Sequence, residues 1–225
     1  MKQIILIAGL ISAAFPTLNF AADAPPAASG TAAASSGAGA AAAKTQAKTD
    51  GSAAATSAAP ATQVRVVTSM GNFIIELNAE RAPLTVPHFL KYVDQGHYTG
   101  TIFHRVISNF VIQAGGFDKD YKPMTAPTRV VNESGNGLTN VRGTVGMARG
   151  AEPHGSDAQF YVNLYDNEAL DPSQTRWGYA VFGKVVQGMD VVDKIGNVAT
   201  NAHGVFKDTP VEPVIIERIE RVATP

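Results

Sequence analysis

The pattern of apolar and polar positions changes character twice along the chain. Lys2 is followed by an apolar run from Ile4 to Phe15 and by small residues near Ala22 and Ala24, which predicts a secretory signal over residues 1–24. Ser12, Pro16, Thr17 and Asn19 interrupt the run before the ~20 apolar residues that a membrane span needs, so no stable insertion is expected once the signal is removed. From 25 to 63 nearly half the positions are Ala, most others are Ser, Thr, Gly or Pro, and Leu, Ile, Val and aromatics are missing. Such a segment cannot offset its conformational entropy by burial. It predicts a disordered tether with a mean span of roughly 35 Å. Periodicity returns at Val64, and residues 64–225 are long enough for one domain with a single core.

Within that domain the elements are mostly short and β-like. VRVVT (64–68) and NFIIEL (72–77) flank Ser69, Met70 and Gly71 and predict a hairpin. In APLTVPHFLKYVDQG, the residues Val86, Phe89, Leu90 and Val93 stand at i, i+3, i+4 and i+7, with Pro87 early and Gly96 as a stop. This predicts an amphipathic helix with Thr85 as N-cap. IFHRVI, FVIQAG, RVVNE, GTVGMA, QFYVN, YAVFGKVV and PVIIERIERV read as strands. Between the last two, MDVVDKIG predicts a second helix with Val191, Val192 and Ile195 facing inward. Many short strands with two helices point to a closed antiparallel barrel with helical caps, since closure removes exposed edges. A sandwich is the alternative.

Composition mostly excludes. A net charge of -1 with 16% charged residues gives no reason to expect nucleic acid as a partner. The absence of cysteine removes disulfides, thiolate catalysis and cysteine-ligated metals. His88, His97, His104, His154 and His203 are scattered without a ligand spacing, and no nucleophile elbow, P-loop or dinucleotide fingerprint occurs. No metal and no cofactor are therefore expected. Asn132 in NES is the lone glycosylation sequon, relevant only in a eukaryotic host.

The candidate chemistry lies in TIFHRVISNFVIQAGG (101–116), a β-forming stretch that carries the long polar side chains Arg105 and Gln113. Strict alternation puts Phe103, Arg105 and Ile107 on one face, with His104 and Val106 on the other, His104 then being a core histidine. Val111 and Gln113 share a face of the next strand, and Phe110 reaches it only if the turn at Ser108 and Asn109 rotates it. From alternation alone, Arg105 and Gln113 read equally well as solvated outward residues or as members of a site.

FHRVISNFVIQAGGF resembles the cyclophilin signature, and the resemblance continues through GTVGMAR, SDAQFYVN, ALD and YAVFGKVVQGMDVVDKI, from Val64 to Val222. It implies a mainly β fold, a closed eight-stranded antiparallel barrel capped by two α-helices, and cis/trans isomerisation of the peptide bond before proline in exported proteins. Carried over residue by residue, Arg105 and Gln113 match catalytic positions, and Phe110, Val111, Tyr161 and Leu170 match the proline pocket. Ala148 and Arg149 match the edge that pairs with substrate backbone, and Tyr179 stands where many relatives have histidine. The resemblance implies proline-containing polypeptides as partners and a monomer, and its bacterial character together with the secretory signal points to a bacterial periplasm, with extracellular release the alternative. Ala169 stands where eukaryotic relatives commonly have tryptophan, which implies weak cyclosporin binding. Trp177, in a loop DPSQTRWGY longer than the eukaryotic pattern, reads either as a packed residue or as part of the pocket rim. A low-turnover module that holds proline segments as a chaperone or scaffold is the alternative on the same fold.

Overall fold

A computed structural model describes residues 62–222. The signal over 1–24 and the tether up to Ala61 lie outside the described residues. The chain runs β1 (Thr62–Thr68), β2 (Gly71–Leu77), α1 (Thr85–Asp94), β3 (Thr101–Ile107), β4 (Val111–Asp118), β5 (Thr144–Met147) and β6 (Phe160–Asn163). A 3-10 turn (Glu168–Leu170) leads to β7 (Val181–Gln187), α2 (Met189–Gly196), β8 (Thr200–His203), β9 (Phe206–Pro210) and β10 (Ile216–Arg221).

Eight strands form one antiparallel sheet in the order β10-β1-β2-β7-β5-β6-β4-β3. Its two ends meet through a bridge between Ile102 and Ile215 and through hydrogen bonds from the Phe103 amide to Val214 O (3.0 Å) and from the Gly100 amide to Ile216 O (2.8 Å). The barrel is thus nearly closed, as the strand count and turn spacing predict. Its interior rows come from alternate positions: Val106, Ile112, Val162 and Val145 in one, Phe103, Ala114, Phe160 and Met147 in the next. The apolar stripe of α1 seals this core, with the Phe89 ring 5.1 Å from Phe182, 5.3 Å from Tyr98 and 5.7 Å from Phe160, centroid to centroid. Each such fully buried ring contributes about 1.5–3 kcal/mol of transfer free energy. In α2, Val191, Val192 and Ile195 turn inward as the periodicity predicts.

Four local expectations need correction. β1 begins at Thr62, because Gln63 is already paired on both sides, opposite Glu76 in β2 and as acceptor for the Val222 amide (2.8 Å). Thr85 is the first residue of α1 and not its N-cap. The orphan amides of Leu84 (3.1 Å) and Thr85 (2.8 Å), together with the Thr85 hydroxyl (2.6 Å), donate to the carboxylate of Glu133, a cap brought from 48 positions away. RVVNE is not a strand: every strand of the sheet already has its partners, and Val130 makes one isolated bridge to Ser156 while Val131 is exposed. The β8–β9 hairpin was not expected, because TNAH is polar and fully exposed and shows no alternation to read.

Candidate active site

The outer face of the barrel carries a cross-strand row that runs over four strands. Arg105 in β3 faces Gln113 in β4, Gln113 faces Tyr161 in β6, and Tyr161 faces Gly146 in β5. Alternation alone does not build it, since Phe103 is in the core and Arg105 is not. Between them the register slips: Phe103 pairs with Ala114 and Arg105 with Gln113, so β3 holds one extra residue, His104. This bulge corrects the expected shared face of Phe103 and Arg105 and sends the guanidinium outward. Gly146 has to be glycine, because a Cβ there would overlap the Tyr161 hydroxyl that lies across it.

Two surfaces meet at this row. One is apolar: Val111, Ala148, Tyr161 and Leu170 pack as a buried cluster with Phe110 and Tyr179 half-buried against it. The other is a groove of mixed character, about 270 Å³ in volume, where Arg105, Gln113, Gln159 and Asp208 stand beside Phe117 and Phe206. Arg105 lies between them. Its Nη1 is 3.5 Å from Gln113 Oε1 and its Cζ is 5.9 Å from the Phe110 ring centroid. Burial lowers its pKa from the ordinary arginine value, while Asp208 and Tyr179 act in the opposite sense. A guanidinium starts so high that it stays charged. Gln113, itself buried, donates through Nε2 to Gln159 Oε1 (3.2 Å), which fixes the amide beside the arginine.

The structure therefore brings together all nine residues that the sequence singles out, but not all in the same posture. The Ala148 amide is already committed to Gln159 O (2.9 Å), so backbone pairing by a ligand there would have to use other groups. The Arg149 side chain turns onto the 171–179 loop: it donates to Trp177 O (2.8 Å) and Gly178 O (3.3 Å) as well as to its neighbour Gly150 O (3.0 Å), and its Cζ sits 4.6 Å above the Tyr179 ring. Trp177 is 49% exposed and meets His154 edge-on at 5.1 Å, so its carbonyl, through Arg149, is its link to the site, rather than its ring. Asn132 is buried, its amide donating to Pro153 O (3.1 Å) and Gly178 O (2.9 Å), so the sequon is not presented to solvent.

His104 is buried as expected, but outside the barrel's apolar core. It lies against Phe117 (4.8 Å) and Phe206 (6.0 Å) and lines the same groove as Arg105. Gln159 is not among the residues that the sequence singles out, although it precedes Tyr161 by two in a strand run and so shares its outward face. Asp208 carries no comparable signal, because its strand, β9, is itself unreadable from alternation. Among the described residues no group of three His, Asp or Glu side chains is gathered in a way that could hold a metal ion.

A family model described as cyclophilin type peptidyl-prolyl cis-trans isomerase/CLD matches residues 63–221. The chain is 47% identical over 159 residues to a peptidyl-prolyl cis-trans isomerase of Acinetobacter baylyi, covering 71% of this chain and 85% of that protein. It is 48% identical over 155 residues to peptidyl-prolyl cis-trans isomerase B of Escherichia coli, covering 68% and 94%. Among solved structures, a cyclophilin type peptidyl-prolyl cis-trans isomerase of Cryptosporidium parvum superposes with a TM-score of 0.60 at 26% identity, over 73% of this chain and 99% of the other. A second crystal structure of that isomerase, in the presence of the dipeptide Ala-Pro, superposes with a TM-score of 0.59.

Proposed function

The chain belongs to the cyclophilin-type peptidyl-prolyl cis-trans isomerases, and from that premise we propose that Arg105 is the group that accelerates rotation about the X-Pro bond. The uncatalysed rotation takes tens to hundreds of seconds, because amide resonance has to be broken at a barrier of ~18–20 kcal/mol. At the twisted transition state the prolyl nitrogen becomes pyramidal and carries a lone pair that the planar ground state lacks. A fixed N–H donor aimed at that nitrogen stabilises the transition state more than the substrate, which is what lowers a barrier. The observation that carries this assignment is the meeting of the Arg105–Gln113–Tyr161 row with the apolar wall. A charged, half-buried guanidinium stands at the edge of an apolar wall, its Cζ 5.9 Å from the Phe110 ring centroid, where a pyrrolidine ring packed on that wall would bring its nitrogen within reach.

In this reading Phe110, Val111, Tyr161 and Leu170 hold the proline ring, while Gln113, fixed by Gln159, orients the rotating carbonyl. No bond is made, so no nucleophile is needed. The substrates are proline-containing segments of exported polypeptides, consistent with the leader-like start of the chain and the tether-like composition that follows it. No helix among the described residues is long and apolar enough to cross a membrane.

The test is a protease-coupled isomerisation assay on an X-Pro peptide. Arg105→Ala is expected to lower kcat/KM by about 2–4 kcal/mol of transition-state stabilisation, the usual cost of one preorganised donor. Arg105→Lys should recover little, since an ammonium cannot reproduce the planar fork. A folded Arg105→Ala protein that isomerises at the wild-type rate would refute the assignment.

A further inference from the structure

Behind the apolar wall lies a buried cluster of polar side chains that the isomerase chemistry does not use directly. Asn140 is 1% exposed and Asn163 0%. The Asn140 Oδ1 accepts from the Tyr161 hydroxyl and from Asn163 Nδ2 (3.2 Å), while its Nδ2 donates to Asp171 Oδ1 (2.8 Å) and approaches Tyr179 O (3.4 Å). The Asn140 main-chain amide donates to the same Asp171 oxygen (2.8 Å). Asn167 extends the cluster, its Nδ2 donating to Asn163 Oδ1 (2.7 Å) and to Phe110 O (3.0 Å).

The points of attachment are specific. Tyr161 is held by its hydroxyl, Tyr179 and Phe110 by their carbonyls, and Leu170 by its position between Asn167 and Asp171, where its amide donates to Asn167 O (2.9 Å). Four residues of the wall, from four separate segments, are thus anchored to one network. Burial raises the Tyr161 pKa well above the usual tyrosine value, so the hydroxyl keeps its proton and remains a donor. An apolar backing could fill the same volume, but dispersion contacts are not directional, whereas a satisfied network of buried hydrogen bonds specifies one arrangement.

We propose that Asn140, Asp171 and Asn167 are positioning residues that set the proline-holding wall at a fixed distance from Arg105. This rests on the reading of that wall as the proline seat. The network touches no substrate. It acts through Tyr161, Leu170 and Phe110, and a small displacement of that wall misaligns the prolyl nitrogen with the guanidinium.

The test uses the full chain and an X-Pro peptide at saturation, with kcat and KM measured separately, per folded molecule, well below the melting temperature. Asn140→Ala and Asp171→Ala are each expected to lower kcat about tenfold, the rate equivalent of one lost hydrogen bond in the pathway. Asp171→Asn keeps the acceptor oxygen and should recover kcat to within about threefold of wild type. Adding Tyr161→Phe to Asn140→Ala should cost nothing further, since both break the same link. The proposal is overturned if both alanine variants keep kcat within about twofold of wild type and lose only melting temperature, or if Asp171→Asn is as slow as Asp171→Ala. Should Asn140→Ala fail to fold, the half-buried Asp171 pair decides alone. If Arg105→Ala is fully active while the network variants are slow, the Arg105 mechanism falls and the positioning role stands. The reverse result removes the positioning role only.

Discussion

His104 makes the stability of this fold sensitive to mild acid, by an amount that can be worked out. Its imidazole is buried in the groove wall against Phe117 and Phe206, and among the described residues its Nδ1 finds no hydrogen-bond partner. Burial disfavours the charged form and Arg105 adds a like charge, so its pKa falls from 6.5 to about 3 despite an opposing contribution from the Ile102 backbone. Between those two values the unfolded chain binds a proton that the folded chain refuses. Stability therefore rises with pH across this window and is lost as pH falls from 6.5 towards 3. At pH 5 the loss from this one group is ~2 kcal/mol relative to pH 8. His88, half-buried and also lowered by burial, acts in the same sense, whereas Asp94, lowered by Arg221, loses its contribution only at lower pH. Comparison with a variant isolates His104. Denaturant unfolding followed by circular dichroism at pH 8, 6.5, 5.5 and 5 should show wild type losing about 2 kcal/mol more than His104→Phe. His104→Gln serves if the larger ring does not fit. Parallel curves for wild type and variant over this range would show that the imidazole is not excluded from protonation and would refute the reasoning.

Two further expectations follow from particular contacts. Glu133→Ala removes the carboxylate that caps α1 from a distant loop and should cost about 1–2 kcal/mol in denaturant unfolding; an unchanged midpoint would mean that water replaces the cap without loss. Gly146→Ala places a methyl group where the Tyr161 ring lies, so it should destabilise the fold by about 1–3 kcal/mol and lower kcat/KM at least about tenfold by displacing the pocket wall; wild-type activity on an X-Pro peptide would show that the ring is free to move aside.

Much of the barrel was legible because its core obeys simple periods. Val86, Phe89, Leu90 and Val93 mark one helix face, and Val191, Val192 and Ile195 mark another. The alternation in NFIIEL and QFYVN assigns Phe73, Ile75, Phe160 and Val162 to the interior. What was not legible depends on long-range geometry. No local rule connects Glu133 to the amides of Leu84 and Thr85, and none places Asn140 against both Tyr161 and Asp171. β8 reads as loop because its residues are exposed on both faces, and RVVNE reads as strand because it has the composition of one but finds no free edge. The candidate site residues came from the resemblance of motifs. Periodicity alone left Arg105 and Gln113 undecided between solvent and site.

The bulge in β3 shows why periodicity had to stop short there. Phe103 and Val106 are both buried in the barrel core, three positions apart, which no period of two can satisfy. If the strand kept strict alternation with Phe103 inside, Arg105 would point into the core, and an unpaired buried charge costs several kcal/mol. If Arg105 were outside under the same rule, Phe103 would be exposed and the fit of its ring with the interior lost. The inserted residue lets both side chains take their preferred surroundings, and a spacing of three between core positions in a strand-like run is the sequence trace of that solution. The inserted residue is His104, which ends up enclosed in the wall of the same groove as the arginine it helped to turn outward. A cation at His104 would repel the Arg105 charge from an adjacent backbone position. Keeping this imidazole neutral therefore preserves the packing around Phe117 and Phe206 and spares the Arg105 guanidinium a like charge beside it.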